Sequence, residues 1–401
     1  MQQFHYDTQP EFYEACRSTC HLALSFLNRT DGKVSQANLA IGDAFFNNGD
    51  VNKWKKFVYG ILARSFQSLS SKDLYKANSY AFADSAIKYA NLAMTVNADN
   101  ASVKVSGGTV SNFINYWGPF RALATATVGT GIHRQGKYVA DLMSGRNTAA
   151  FINVFDPRAW YMLSENKKGE FRGWYPWSGS AETPIVGIDS SNYPKNFWRN
   201  PIVTSAVGSI PDSSRYLFQN TSPWPMMTAS EMQFIVAEAA YLKGQKDVAL
   251  TAYKNAIKLN FDMLTTVYPQ NIPVGKEITP GIRDAYLANL TIVPGNSNEL
   301  TLTHIMLQKY IALFGWGSHQ TWVDMRKYHY NKDLDPATTK PVYVDFVVPT
   351  GTNLASTNNS KLTYRMRPRF NSEYLYNVPE LTRIGAINGD YNTVEMWFSQ
   401  K

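Results

Sequence analysis

Only two cysteines, Cys16 and Cys20, occur in the 401 residues. They stand one turn apart on an apparent first helix, a placement poorly suited to a disulfide. No cluster of His or Cys accompanies them, so a zinc-type site has no spacing to rest on. Charge is sparse as well, at 17% Asp, Glu, Lys and Arg, where globular chains average about a quarter. The formal net charge is +8, but the densest basic groups are Lys53-Lys55-Lys56 and Arg365-Arg367-Arg369, too scattered for a nucleic-acid face. No run reaches the ~20 apolar residues of a spanning helix, and the opening Met-Gln-Gln-Phe-His-Tyr-Asp is not a secretion signal. His5, His21, His133, His304, His319 and His329 form no ligand spacing. A Gly-x-Ser-x-Gly elbow and a phosphate-cradling Walker loop are also missing.

Aromatics, by contrast, are abundant: 14% of the chain, with 24 Tyr and 10 Trp. Apolar residues at three-to-four spacing predict helices over 10–29, from Trp54 to about Leu69 with Asp50 as N-cap, and over 74–96. Helix returns over 230–259, where Ala237, Gly244, Ala249, Tyr253 and Ala256 follow the tetratricopeptide pattern of closely approaching antiparallel helices. Further helices are expected over 301–314 and 320–326, divided by Gly315 and Gly317. The fold expectation is a mainly α protein of tetratricopeptide-like antiparallel helix pairs, with long ordered loops and minor β structure. Its scaffold would occupy about 10–96, 230–260 and 301–327, with loop-rich parts over 97–225 and 330–401, all within one domain.

Three segments resemble the SusD/RagB family, and more closely its SusD-like second branch. They are Gly49-Asp50-Val51-Asn52-Lys53-Trp54 with Leu62-Ala63-Arg64, then Phe155-Asp156-Pro157-Arg158, then Lys309-Tyr310-Ile311 with Trp322-Val323-Asp324-Met325-Arg326. Ser230-Glu231 through Ala237-Glu238-Ala239, Arg367-Pro368-Arg369-Phe370 and Glu395-Met396-Trp397-Phe398 support them in the same order. The resemblance implies a non-catalytic cell-surface protein that binds oligosaccharide and delivers it to a TonB-dependent outer-membrane transporter. It also implies a lipid anchor, a signal and an earlier helical region, none of which is present in these residues. Cys16 lies in Tyr-Glu-Ala-Cys-Arg, without the small residues that lipidation needs. The chain is therefore expected to be a fragment of a longer lipoprotein, meeting the membrane only through an anchor outside it.

The remaining question is which residues could do chemistry. Glu231 and Glu238 are two turns apart, about 10 Å along a helix, a separation open to an inverting glycosidase. The competing expectation is that both pair with Lys or Arg between helices, because spacing along one helix does not make a cleft. Asp324 and Arg326 are expected to form a structural ion pair or cap, and His304 to be a satisfied core residue. No cofactor is called for.

Sugar rings present an apolar C–H face to Trp or Tyr and hydroxyls to amides, carboxylates and Arg. The stretch Phe171-Arg172-Gly173-Trp174-Tyr175-Pro176-Trp177 carries both kinds of group on a Gly- and Pro-shaped loop, and Asn192 to Trp198 repeats the mixture. The candidate ligand-binding residues are accordingly Trp174, Tyr175, Trp177, Arg172, Asn192 and Trp198, with no catalytic residue. Trp54, Trp322 and Trp397, within the family segments, are expected in the core. The rival functions are a tetratricopeptide-type scaffold for peptides and, less well supported, a secreted glycosidase.

Overall fold

A computed structural model describes residues 4–33, 35–78, 80–105, 115, 117–118, 135–177, 194, 197, 213–368 and 370–401. No described helix is long and apolar enough to cross a membrane. The helices that carry the scaffold and the site are α1 (Gln9–Leu27), α2 (Val51–Leu69), α3 (Ala81–Leu92), α4 (Lys137–Met143), α5 (Ala229–Leu242), α6 (Lys246–Val267), α7 (Leu302–Ala312) and α8 (Ser318–Lys327). Two short strands, β1 (Ala101–Val103) and β2 (Trp224–Met227), pair antiparallel and form the sheet of the described residues. The fold is mainly α with minor β structure, as the periodicity predicts.

Local chemistry accounts for where the helices begin. The Asp50 carboxylate accepts hydrogen bonds from the backbone N–H of Asn52 and Lys53 at 2.9 and 3.1 Å, so α2 starts three residues before Trp54. Thr228 and Thr301 cap α5 and α7 in the same way. The α5–α6 pair is the tetratricopeptide-like unit. Gly244, at φ +77°, takes the left-handed turn between them. Ala237, Ala249 and Ala256 are fully buried and let the two axes close. Tyr253 fills the space beyond, its hydroxyl donating to the Ile292 carbonyl at 2.7 Å.

Neighbouring helices continue the layer: α1 packs on α2, α2 on α3, α3 on α5, and α7 against α5. The predicted single helix over 74–96 is instead two. A short turn of helix, Asp73–Ala77, ends at Asn78, and Tyr80 at φ +61° precedes α3. An aromatic residue in the left-handed region interrupts the hydrogen-bond ladder, and periodicity carries no trace of it.

The carboxylates that could have served a glycosidase are committed to packing. Arg64 of α2 grips Glu231 with two bonds of 2.7 Å and donates to the Met226 carbonyl, joining α2, α5 and β2. Glu238, fully buried, receives Lys327, the Tyr328 hydroxyl at 2.7 Å and Lys309 at 3.3 Å. Asp324 pairs with Lys309 at 2.8 Å. Arg326 is thus not its partner, as a correction to the expected pair: its guanidinium lies 3.7 Å from the Trp322 ring centre and donates to the Tyr364 carbonyl. The second family segment behaves alike, with Arg158 buried against Asp156 and bonded to Asn260 and Gln308. His304 closes a capping box with Thr301. Trp54, Trp322 and Trp397 are half-buried rather than core, because Trp54 borders a surface hollow beside Asp43 and the other two line a cleft.

Burial alone would raise the Glu238 carboxyl, but Lys327 and Lys309 outweigh it and hold it well below the ordinary 4.5. Burial prevails at Asp324, which is raised. A depressed carboxyl contributes stability above its unfolded value and loses it as pH falls, whereas Asp324 works in the opposite sense. Glu238→Ala should therefore destabilise by about 3–5 kcal/mol, since it strands two buried lysines. Urea denaturation as a function of pH would check this, with the wild-type loss below pH 4.5 flattened in the variant.

A candidate glycan-binding cavity

The segment 171–177 is held beside α4 by its backbone. Lys137 N–H donates to the Trp174 carbonyl at 2.8 Å, and Trp174 N–H donates to the Gln135 carbonyl at 3.0 Å. The Gln135 side chain adds bonds to the Ser164 and Arg172 carbonyls at 2.8 and 2.6 Å. Gly173 permits this approach: a Cβ there would overlap the Gly136 carbonyl. The contact turns 171–177 toward α4 and aims its aromatics into a shared cavity of about 310 Å³.

Trp174, Tyr175 and Trp177 all line that cavity. Tyr175 and Trp177 stack with ring centres 5.1 Å apart and planes 30° apart, and both rings remain half-exposed. Opposite them stand Tyr138, Tyr310 and Phe346, in edge contact at 5.2 Å through Tyr138. Burial pushes the Tyr138 phenol well above its usual range, so it stays protonated and donates to the Val344 carbonyl.

Polar groups complete the lining. Asp141 receives both Lys137 and Arg146, the latter at 2.9 Å. Arg146 also donates to the Phe171 carbonyl, tying the charged corner to the aromatic segment. Asp345 accepts from the Thr148 N–H and hydroxyl at 2.6 and 2.7 Å. Acceptors, donors and aromatic faces therefore meet in one concavity, as sugar recognition requires.

Arg172, expected as a hydroxyl partner, is not among the lining residues. Its guanidinium pairs instead with the Glu170 carboxylate at 3.2 Å, two residues back along the chain. Asn192 and Trp198 lie outside the described residues. Lys137, Asp141, Arg146, Thr148, Tyr310 and Asp345 are lining residues that sequence reasoning missed. Lys137 and Asp141 carried the one usable signal, an i, i+4 pair opening a helix well upstream of the aromatic segment. Among the described residues, no three His, Cys, Asp or Glu side chains gather to hold a metal ion.

A family model, SusD-like and described as starch-binding associating with outer membrane, matches residues 1–350. Solved structures share the fold. A SusD homologue from Bacteroides fragilis NCTC 9343 aligns at TM-score 0.67 and 18% identity, covering 99% of this chain and 76% of that one. Another from Bacteroides ovatus ATCC 8483 aligns at 0.61 and 18%, covering 99% and 75%. A chitin-binding homologue from Flavobacterium johnsoniae aligns at 0.61 and 17%, covering 100% and 74%. No curated protein matches the sequence. SusD-like proteins are carbohydrate-binding and non-catalytic, which agrees with carboxylates spent on helix packing. With the model spanning most of the chain and the same helical scaffold in the solved relatives, the protein belongs to the SusD-like family of outer-membrane-associated binding proteins.

Proposed function

We propose that the chain captures an oligosaccharide in the cavity between α4 and the 171–177 segment and passes it to a TonB-dependent transporter of the outer membrane. The observation that carries the glycan assignment is the stacked Tyr175–Trp177 pair in one concavity with the Asp141 and Asp345 clusters. A stacked, half-exposed pair presents flat apolar area to pyranose C–H faces, while the flanking carboxylates and cations can meet hydroxyls. Family membership supports the surface location, and a lipid anchor outside these residues is the attachment we propose. The scaffold and loop-rich parts would act as a single domain. Capture followed by release calls for modest affinity, which stacking without deep enclosure supplies.

Titration calorimetry against a panel of starch, chitin and plant-glycan oligosaccharides tests the reading. Tyr175→Ala and Trp177→Ala should each weaken glycan binding by about 1–2 kcal/mol, roughly 5- to 30-fold. No binding to any glycan by the wild type, or undiminished binding by the double variant, would refute it. Gly173→Ala should act indirectly, by forcing 171–177 away from Gly136. The expected result is a changed near-ultraviolet dichroism of the tryptophans together with lost affinity, while the helical far-ultraviolet signal persists.

A further inference from the structure

A second, larger cleft lies remote in sequence from the aromatic segment, between the chain's first described residues, α8 and the 365–400 region, with a volume of about 850 Å³. Four arginines line it, Arg326, Arg365, Arg367 and Arg383, against two carboxylates, Asp7 and Glu373. Arg383 is neutralised by Glu380 at 2.5 Å. The other three form no ion pair with any described carboxylate. Arg365 donates to the Val394 and Glu395 carbonyls, Arg367 to those of Asn388 and Gly389, and Arg326 to those of Trp322 and Tyr364. Carbonyl dipoles orient a guanidinium without cancelling its charge.

Two of these cations also stand against a desolvation cost. Arg326 is only 6% exposed, and burial pulls its guanidinium below the usual range, offset by the Tyr330 and Tyr13 phenols but by no carboxylate. The Arg367 Nε is buried and without a partner. Three uncompensated guanidiniums around one cleft make an anion-seeking site.

The neighbouring rings decide what kind of anion. One face of Trp322 is covered by Arg326, Tyr391 by Arg365 at 5.0 Å, and Trp397 by Lys72 at 5.0 Å. Faces covered by cations at 3.7–5.0 Å are poor platforms for sugar, whereas the Lys137 ammonium near Tyr175 stands farther off, at 5.9 Å. The open apolar groups are instead Met366, 70% exposed, and Phe370, 79% exposed, both on the lining. These suit an aliphatic or aromatic side chain set between carboxylates.

From this geometry we infer that the Arg326–Arg365–Arg367 cleft is a docking site for an acidic peptide segment of a protein partner, one that alternates carboxylates with apolar side chains. It is separate from the glycan cavity in both residues and chemistry.

Removing the arginines would also loosen the carbonyls they hold, so the informative variant is Met366→Glu, which places a negative charge at the mouth. Fluorescence anisotropy would follow a labelled, end-blocked peptide of alternating Asp and Leu, with a Lys–Leu peptide and polygalacturonate as competitors. The acidic peptide should bind, weaken with added salt, and lose about tenfold in affinity in Met366→Glu at an unchanged melting temperature. Tyr175→Ala should leave it intact. Equal binding of the Lys–Leu peptide, indifference to Met366→Glu, or polygalacturonate binding in place of the peptide would each overturn the assignment.

Discussion

The fold depends on a carboxylate that water never reaches. Glu238, in the middle of α5, is met by Lys327 from α8, Lys309 from α7 and the Tyr328 hydroxyl. Lys327 donates in addition to the Gln67 carbonyl at the end of α2. Removing any one of these partners leaves a charge in a low-dielectric interior, so the four helices must arrive in one arrangement or pay several kcal/mol. A wholly apolar contact would tolerate sliding; this one does not.

That constraint separates the scaffold from the site. Among the charged residues of the family segments, Arg64 with Glu231 and Lys309 with Glu238 and Asp324 bond across helices, while Asp156 and Arg158 pair within one turn that Arg158 ties to Asn260 and Gln308. None lines the aromatic cavity. Its charged groups come from α4, the turn after it and residue 345, and they are largely satisfied among themselves, through Asp141 with Arg146 and Asp345 with Thr148. What stays available is aromatic area with polar edges, a composition suited to a neutral, hydroxyl-rich ligand. The arginine cleft has the reverse character, with rings occupied by cations and charge left over.

Legibility in the sequence followed the range of the interactions. The α5–α6 pair was readable because small residues, a turn glycine and a gap-filling tyrosine recur within thirty-odd positions. The aromatic half of the cavity was readable because Trp174, Tyr175 and Trp177 crowd one Gly- and Pro-shaped segment. Its polar half was not: Asp345 meets Thr148 across nearly two hundred residues, and Lys137 and Asp141 look like any solvated helix face until 171–177 is laid beside them. Arg172 failed for a local reason, since the Glu170 carboxylate two residues away holds its guanidinium. The break at Tyr80 and the true partner of Asp324 escaped because φ angles and interhelical pairs leave no periodic mark.

By itself, then, the sequence determined the helical architecture, the family and the stretch of chain whose aromatics line the first cavity. Each of these is written in residues that are near neighbours along the chain. Only the tertiary structure decided which acids are structural, which polar groups face the aromatics, and where three arginines are left without counter-charge. Those outcomes turn on which distant side chains share a few ångströms of low-dielectric space, and no spacing along one chain specifies that in advance.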